Sequence, residues 1–417
     1  MHVVCARRRD CQREQQLNGV HIHRAGFDSL KEVAYYLSGS THGRGRVGTG
    51  VHRPAGLMRV LTWVYNWVWK KIYFPDDAGL WYFPARQKVL HLLENQIFDA
   101  VITVSLPFTG HLIGRLVKRR FPGLRWLADI GDPFTIQAKP LNNPWLYGRL
   151  SERLEKAVLD WADAAVVTNA AARRAYETKF GPSIKPITVI PPLLHPPVSE
   201  KGMPFSVPLA RDAGVKALHI GYFGAFYAPV RTPHAFLNLL NKTLARRPDW
   251  KSLLTVHIFG DIFPEFYTEL AQYPNIKLYG LRSRQEVRSA IEQMDVLVNI
   301  GNVTDYQLPS KAVEYLAAGK PVVHLSFVEQ DPFVAFWADW PGLLTLSVKD
   351  ARVTDASFER WLGFVDAPPI VTLPEPLRNA RLREFSVEAV AAQYAYLLGG
   401  EQPIPAKPAT AAIPLDR

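Results

Sequence analysis

The chain has 417 residues, 48% of them hydrophobic and 21% charged, and carries 49 Lys and Arg against 38 Asp and Glu, a formal net charge of +11. That length exceeds a single ordinary core and suits two domains, and the composition is that of a globular chain rather than a disordered one. No apolar run reaches the ~18 residues of a spanning helix, and no secretory-signal pattern opens the sequence.

Cys5 and Cys11 are the two cysteines, both near the start. A disulfide framework is excluded, a reducing cytosol is the expected compartment, and a Cys-x5-Cys pair alone is not a metal site. Next comes "GLMRVLTWVYNWVWKKIYF" over 56–74, with Trp63, Trp67, Lys70 and Lys71. Trp63 and Trp67 are one helical turn apart. Two readings stand: a helix lying in an anionic membrane interface, or an apolar helix packed inside the protein. Asp76-Asp77 follows an aromatic segment rather than a strand and reads as a capping turn, not a metal motif.

From there, short apolar strands alternate with helical segments. "FDAVITVS" (98–105), "RWLADI" (125–130), "DAAVVTN" (163–169) and "PITVI" (186–190) form one set. Six prolines in 191–214 then mark a semi-rigid linker. A second set comes after it: "ALHIGYFG" (217–224), "LLTVHIFG" (253–260), "IKLYG" (276–280), "DVLVNIG" (295–301) and "PVVHL" (321–325). This alternation predicts α/β architecture: two Rossmann-like, doubly wound parallel-sheet domains facing a cleft, with ligands at the carboxyl ends of the strands. The expected limits are 1–190 for the first domain, 191–214 for the linker and 215–385 for the second domain. A last helix is expected over 386–400 and a Pro- and Ala-rich disordered tail over 401–417.

Within the second set, "YQLPSKAVEYLAAGKPVV" (306–323) is punctuated at both ends: Pro309 and Ser310 before a helical core, Gly319 and Pro321 after it. The helix starts just past a strand end, so its free amides and positive dipole end suit an anion. Ser310, Lys311 and Glu314 fall on one face. Lys311 can neutralise a phosphate, and Glu314 can accept both hydroxyls of a ribose.

"LPSKAVEYLAAGKPVV" resembles the donor-site segment of retaining GT-B glycosyltransferases, the large bacterial group-1, family-four type. "HIGYFGAFYAPVR", "NIKLYGLRSRQEVRSAIEQMDVLVNIG" and "VITVSLPFTGHLIGRLVKRR…WLADIGDPFT" resemble further segments of that family in matching order, so the likeness covers most of 60–400. The resemblance implies a glycosyltransferase moving a sugar from a nucleotide-diphosphate sugar to a glycan or lipid-linked acceptor, in cell-surface polysaccharide assembly. It implies donor binding by Gly224, Gly280, Leu281, Arg282, Gln307, Leu308, Pro309, Ser310 and Glu314. Arg231 and Lys311 would stabilise the leaving diphosphate, and Asp132 would orient the acceptor hydroxyl. Neither a metal nor a resident cofactor is implied, nucleic acid is not an expected partner, and the site of action would be the cytoplasm, at the inner membrane face.

The chain departs from that pattern in places. "MHVVCARRRDCQREQQLNGVHIHRAG" resembles the family's second strand and the segment after it, so the first βα unit is not recognised. Tyr306 stands where relatives often carry another glutamate, Gly131 where many have Arg or His, and Ala225 where many have a second phosphate-binding arginine. The departures keep open a non-catalytic or truncated nucleotide-sugar-binding protein as the alternative.

Overall fold

The computed structural model describes residues 1–7, 11–27, 29, 33, 67, 69–137, 139–182, 184–194, 206–207, 217–228, 230–309, 311–338, 340–367 and 375–400. Trp63, Ser310, the 401–417 tail and most of the expected linker lie outside these residues. The chain divides into two compact units: one runs to Ile190, and the other runs from Pro191 to Tyr394. Residues Ala395–Gly400 group with the first unit, so the last helix does not belong to one unit alone.

In the first unit, β1 (His2–Cys5), β2 (Glu14–Leu17) and β3 (Val20–Arg24) form one sheet in the order β1-β3-β2. β1 runs parallel to β3, and β2 pairs antiparallel with it across an Asn18-Gly19 turn. A second sheet holds β4 (Ala100–Ser105), β5 (Arg125–Ile130), β6 (Ala164–Val167) and β7 (Ile187–Val189), all parallel and in sequence order. α1 (Tyr82–Asn95), α2 (Thr109–Arg120), α3 (Pro144–Trp161) and α4 (Ala170–Phe180) connect and flank these strands. β5 and β6 are nearly wholly buried, as apolar runs in a parallel sheet should be. β4 is not: Ile102 is 46% exposed and Val104 54%, and among the described strands β4 pairs with β5 alone. Among the described residues β4 is therefore an edge strand, with Ile102 and Val104 exposed.

The second unit is one seven-stranded sheet. Its strands are β8 (Leu218–Phe223), β9 (Leu254–Phe259), β10 (Ile276–Gly280), β11 (Val296–Ile300), β12 (Val322–Ser326), β13 (Leu343–Lys349) and β14 (Arg352–Val353). The order is β10-β9-β8-β11-β12-β13-β14, parallel except for β14. Helices α5 (His234–Arg246), α6 (Pro264–Leu270), α7 (Arg284–Gln293), α8 (Lys311–Ala318), α9 (Pro332–Phe336) and α10 (Asp355–Asp366) return the chain between or after strands; α11 (Glu375–Leu382) and α12 (Val387–Leu397) complete it. Both faces of the sheet are covered, one core gathering Ile220, Val256 and Val298 and the other Leu297, Val313 and Val322. All five strands expected for this half are present, within about a residue at each end, because buried parallel strands read as short apolar runs.

Among the buried histidines, two carry strongly lowered pKa values. His257 on β9 lies 3.1 Å from His219 and 3.0 Å from the Tyr279 hydroxyl, and burial with the neighbouring His219 and Lys277 pulls its pKa down to about 4. His111 on α2 contacts Thr103 Oγ1 at 2.8 Å, and burial pulls its pKa to about 3. Both are neutral in the fold but take up a proton in the unfolded chain below about pH 6.5. Stability should then be full above pH 6.5 and fall as pH drops towards 4 and 3, each histidine contributing a loss on the order of 3 kcal/mol. Asp76 and Glu155, whose carboxyls burial pushes up, act in the opposite sense. Urea unfolding of the wild type and His257→Gln at pH 7.5 and 4.5 isolates the histidine effect: the variant should lose less stability over that interval, and an equal loss would exclude His257.

Candidate functional site

The strand order of the second unit reverses between β8 and β11, and a doubly wound sheet opens a crevice at such a point, beyond the carboxyl ends of its strands. Gly224 follows β8 there, Gly260 follows β9, Gly280 ends β10 and Gly301 follows β11. The backbones meet closely. A Cβ at Gly260, where φ is +141°, would fall 2.0 Å from the carbonyl oxygen of Gly224, so only glycine fits. Gly224 and Gly260 are tied across the edge by Gly224 N–H to Phe259 O at 2.9 Å and Gly260 N–H to Gly280 O at 2.9 Å.

Arg231 sits at this reversal point. The backbone bridge between Tyr227 and Arg231 folds the loop after β8 back on itself, and the Arg231 guanidinium donates to Asn302 Oδ1 at 2.8 Å. Asn302, 5% exposed just past β11, donates in turn to Gln307 O at 3.4 Å and Gln307 Oε1 at 3.3 Å. Arg231, Asn302 and Gln307 thus form one polar chain across the gap between β8 and β11. Behind it Tyr222 donates to Ala225 O at 3.0 Å, and burial, opposed by Arg231, holds its hydroxyl pKa up at about 12. Tyr222 is a neutral donor at any working pH.

Gln307, Leu308 and Pro309 lead into α8, whose first turn closes with Ala312 N–H to Pro309 O at 3.0 Å. Ala312, Val313, Tyr315 and Leu316 bury one side of the helix. Lys311 and Glu314 stand on the other, each 28% exposed at the side chain, and pair with each other at 2.5 Å. The two roles expected of them, cation for phosphate and acceptor for ribose, are thus held by one ion pair that a ligand would have to share or open. Gly319 ends the helix at φ +63°. Gly280, Leu281 and Arg282 lie at the end of β10, two strands from β8 and hence about 10 Å away along the edge. Leu281 is 40% exposed, and Arg282 reaches Glu286 at 3.4 Å. Tyr306 is 7% exposed and belongs to the interior.

In the first unit Asp132 follows β5, and its carbonyl accepts from Ser105 Oγ at 2.8 Å. The loop that carries it is fastened by a residue that no sequence motif singled out. Glu155 on α3, 2% exposed, accepts from Phe134 N at 2.9 Å, Thr135 N at 3.0 Å, the Thr135 hydroxyl and the Tyr176 hydroxyl at 2.6 Å. Glu155 shares a stripe with Ser151, Val158 and Leu159. A carboxylate inside an apolar stripe was the available signal. Asn302 and Tyr222 were missed too, and no local pattern marks either. Asp76 accepts from Ala78 N, Thr109 N and Thr109 Oγ1 at 2.8–3.2 Å, the geometry of a turn and helix cap. Trp67 is 60% exposed with Lys71 Nζ 4.9 Å from its ring, Lys70 begins a single helical turn, and among the described residues no helix is long and apolar enough to cross a membrane.

No family model and no curated protein matches the chain by sequence. Solved structures do match by fold. Sucrose-phosphate synthase from Thermosynechococcus elongatus is 14% identical, with 95% of this chain and 87% of that one covered at a TM-score of 0.59. An α,α-trehalose-phosphate synthase (UDP-forming) from Burkholderia xenovorans, in complex with glucose-6-phosphate, is 11% identical over 95% and 90% of the two chains at 0.60. Anabaena Alr3699/HepE, in complex with UDP, is 15% identical over 78% and 84% at 0.53. The fold is that of the GT-B glycosyltransferases, with two Rossmann-like α/β domains.

Proposed function

We propose that the protein is a glycosyltransferase that takes a sugar from a nucleotide-diphosphate donor bound at the β8–β11 reversal of the second unit. The observation that supports this is Arg231, joined to Asn302 and Gln307 across the β8–β11 gap beside glycine-walled strand ends, with the Lys311–Glu314 pair opening α8, the helix that follows β11. Structures of similar fold are described as bound to UDP or UDP-glucose, which supports the same ligand class here. In this reading Arg231 and Lys311 face the diphosphate, Glu314 holds ribose, the N-terminal end of α8 receives phosphate, and Gly280–Arg282 borders the base. The acceptor oxygen forms its bond to the anomeric carbon as the bond to the phosphate oxygen breaks, and that leaving oxygen takes the acceptor's proton. Asp132 would orient the acceptor hydroxyl, configuration would be retained, and the charge would be met by side chains and helix dipole rather than a metal. A glycan or lipid-linked acceptor in cell-surface polysaccharide assembly completes the reading.

Titration calorimetry with UDP and UDP-glucose tests the donor site. Glu314→Ala should weaken binding by about 1.5–3 kcal/mol, the scale of a hydrogen bond to a charged group; unchanged affinity in a folded variant would remove Glu314 from the site. Transfer or hydrolysis of UDP-glucose separates the enzyme from the second reading, a non-catalytic nucleotide-sugar-binding protein. That reading draws on β4, which pairs with β5 alone among the described strands. A peripheral membrane contact through Trp67 and Lys71 should appear as sedimentation with anionic vesicles that Trp67→Ser reduces; absence of wild-type sedimentation would leave the packed-helix reading.

A further inference from the structure

The first unit carries a surface cavity of about 820 Å³, within the range of small-molecule sites. Its walls come from the ends of β1 and β3 on one side and one face of α1 on the other. Four guanidinium groups line it: Arg7, Arg13, Arg24 and Arg86. We propose that this cavity is a binding site for a phosphate- or diphosphate-bearing ligand, separate from the donor nucleotide.

Three features distinguish it from an ordinary charged surface. First, two acids near the cavity, Glu94 and Glu14, are engaged by other cations among the described residues. Glu94 at the rim pairs with Arg120 at 2.7 Å, and Glu14 pairs with Lys88 at 2.8 Å and with His23. Among the described residues Arg24 donates to neutral acceptors, Gln12 O at 2.8 Å and Gln15 Oε1 at 3.0 Å, which hold it in place. Arg13 and Arg86 have no carboxylate partner among the described residues. Second, the cavity is built by a close approach. Trp81 Nε1 donates to Ala25 O at 2.8 Å, and Gly26, at φ +62°, lies so near α1 that a Cβ there would fall 2.4 Å from Pro84 Cγ. The segment after β3, which follows Arg24, is therefore clamped onto the helix carrying Arg86. Third, the cations alternate with apolar surface: Arg7 lies 5.7 Å from the Phe27 ring centre, and Phe83 on the wall is 63% exposed.

Guanidinium forks match phosphate oxygens bidentately, and several of them held together repel one another until an anion sits between them. Arg13, Arg24 and Arg86 have no carboxylate partner among the described residues; a single carboxylate ligand meets one such fork, whereas a diphosphate can meet two or more. The flanking Phe27 and Phe83 suit a ligand whose phosphate is attached to a sugar ring or a lipid. The proposal stands on the first unit alone and does not depend on what the second unit binds.

The test titrates the full chain with inorganic pyrophosphate, with glucose-6-phosphate, and with vesicles of phosphatidylcholine containing or lacking phosphatidic acid. Arg13→Gln/Arg86→Gln is compared with wild type and with Lys311→Met. The arginine pair should cost at least about tenfold in affinity for one of these phosphates, while Lys311→Met should not reproduce that loss. Loss confined to the soluble phosphates assigns the site to a soluble phosphorylated ligand; loss confined to phosphatidic acid vesicles assigns it to a lipid headgroup. Wild-type affinities in the arginine variant for all probes, or no binding of any probe by wild type, would overturn the proposal. UDP binding unchanged in the arginine variant, beside a lost phosphate affinity, keeps this outcome distinct from failure of the donor site.

Discussion

Arg231→Met should lower kcat by about 10²-fold or more, with a smaller rise in KM for the donor. The methionine keeps an apolar stem and removes the charge. Charge on the diphosphate grows as the glycosidic bond breaks, so a cation aimed there acts more on the transition state than on bound substrate. Lys311→Met should behave alike, although it also leaves Glu314 without the partner it holds at 2.5 Å. The double variant should lose less than the product of the single losses, because both cations serve one phosphate cluster. Steady-state release of UDP measures all three. Wild-type turnover in Lys311→Met would make α8 an ordinary capped helix and its ion pair a surface pair of the kind worth little.

The second large effect is structural. Glu155→Ala removes the acceptor from two backbone amides and two hydroxyls at once, all in or near the interior. A buried donor left without a partner costs about 1–3 kcal/mol, so a total loss of about 3–5 kcal/mol is the expected scale. Glu155→Gln retains one acceptor oxygen and should fall between. The loop bearing Asp132 is what those bonds hold, so transfer should also slow in both variants under conditions where they remain folded. Urea unfolding tracked by tryptophan fluorescence reads the first effect, since Trp126 lies in the core beside Phe134. An alanine variant that unfolds at the wild-type midpoint would show that the loop is held elsewhere.

How far these sites were visible in the sequence depended on the range of the interactions that make them. Nine of the eleven described strands from 98 onward, β4 to β12, were legible because each is a short apolar run bounded by a turn signal, which is local information; β13 and β14 were missed. α8 was legible for the same reason: Pro309 before it and Gly319 after it are local stop signals, and Lys311 and Glu314 sit within one turn. Their mutual ion pair arises from the same spacing, although the sequence pattern pointed to a separate partner for each. Arg231 was marked only by resemblance. What holds it, Asn302, is 71 positions away and lies in a segment with no periodic pattern.

The amino-acid sequence by itself determined the α/β class, the two alternating sets of strands, and where α8 begins and ends. Each arises from side-chain periodicity or from the backbone limits of proline and glycine, which operate over a few residues. Tertiary structure alone decided which strand ends lie together. It placed Gly224 against Gly260, set the reversal between β8 and β11, and fastened the Asp132 loop to Glu155. It also gathered Arg7, Arg13, Arg24 and Arg86 into one cavity, although 62 positions separate Arg24 from Arg86. Such groupings depend on strand order and on helix packing across a sheet. No short window of sequence carries either, because the free energy that selects them comes from contacts between segments tens of residues apart.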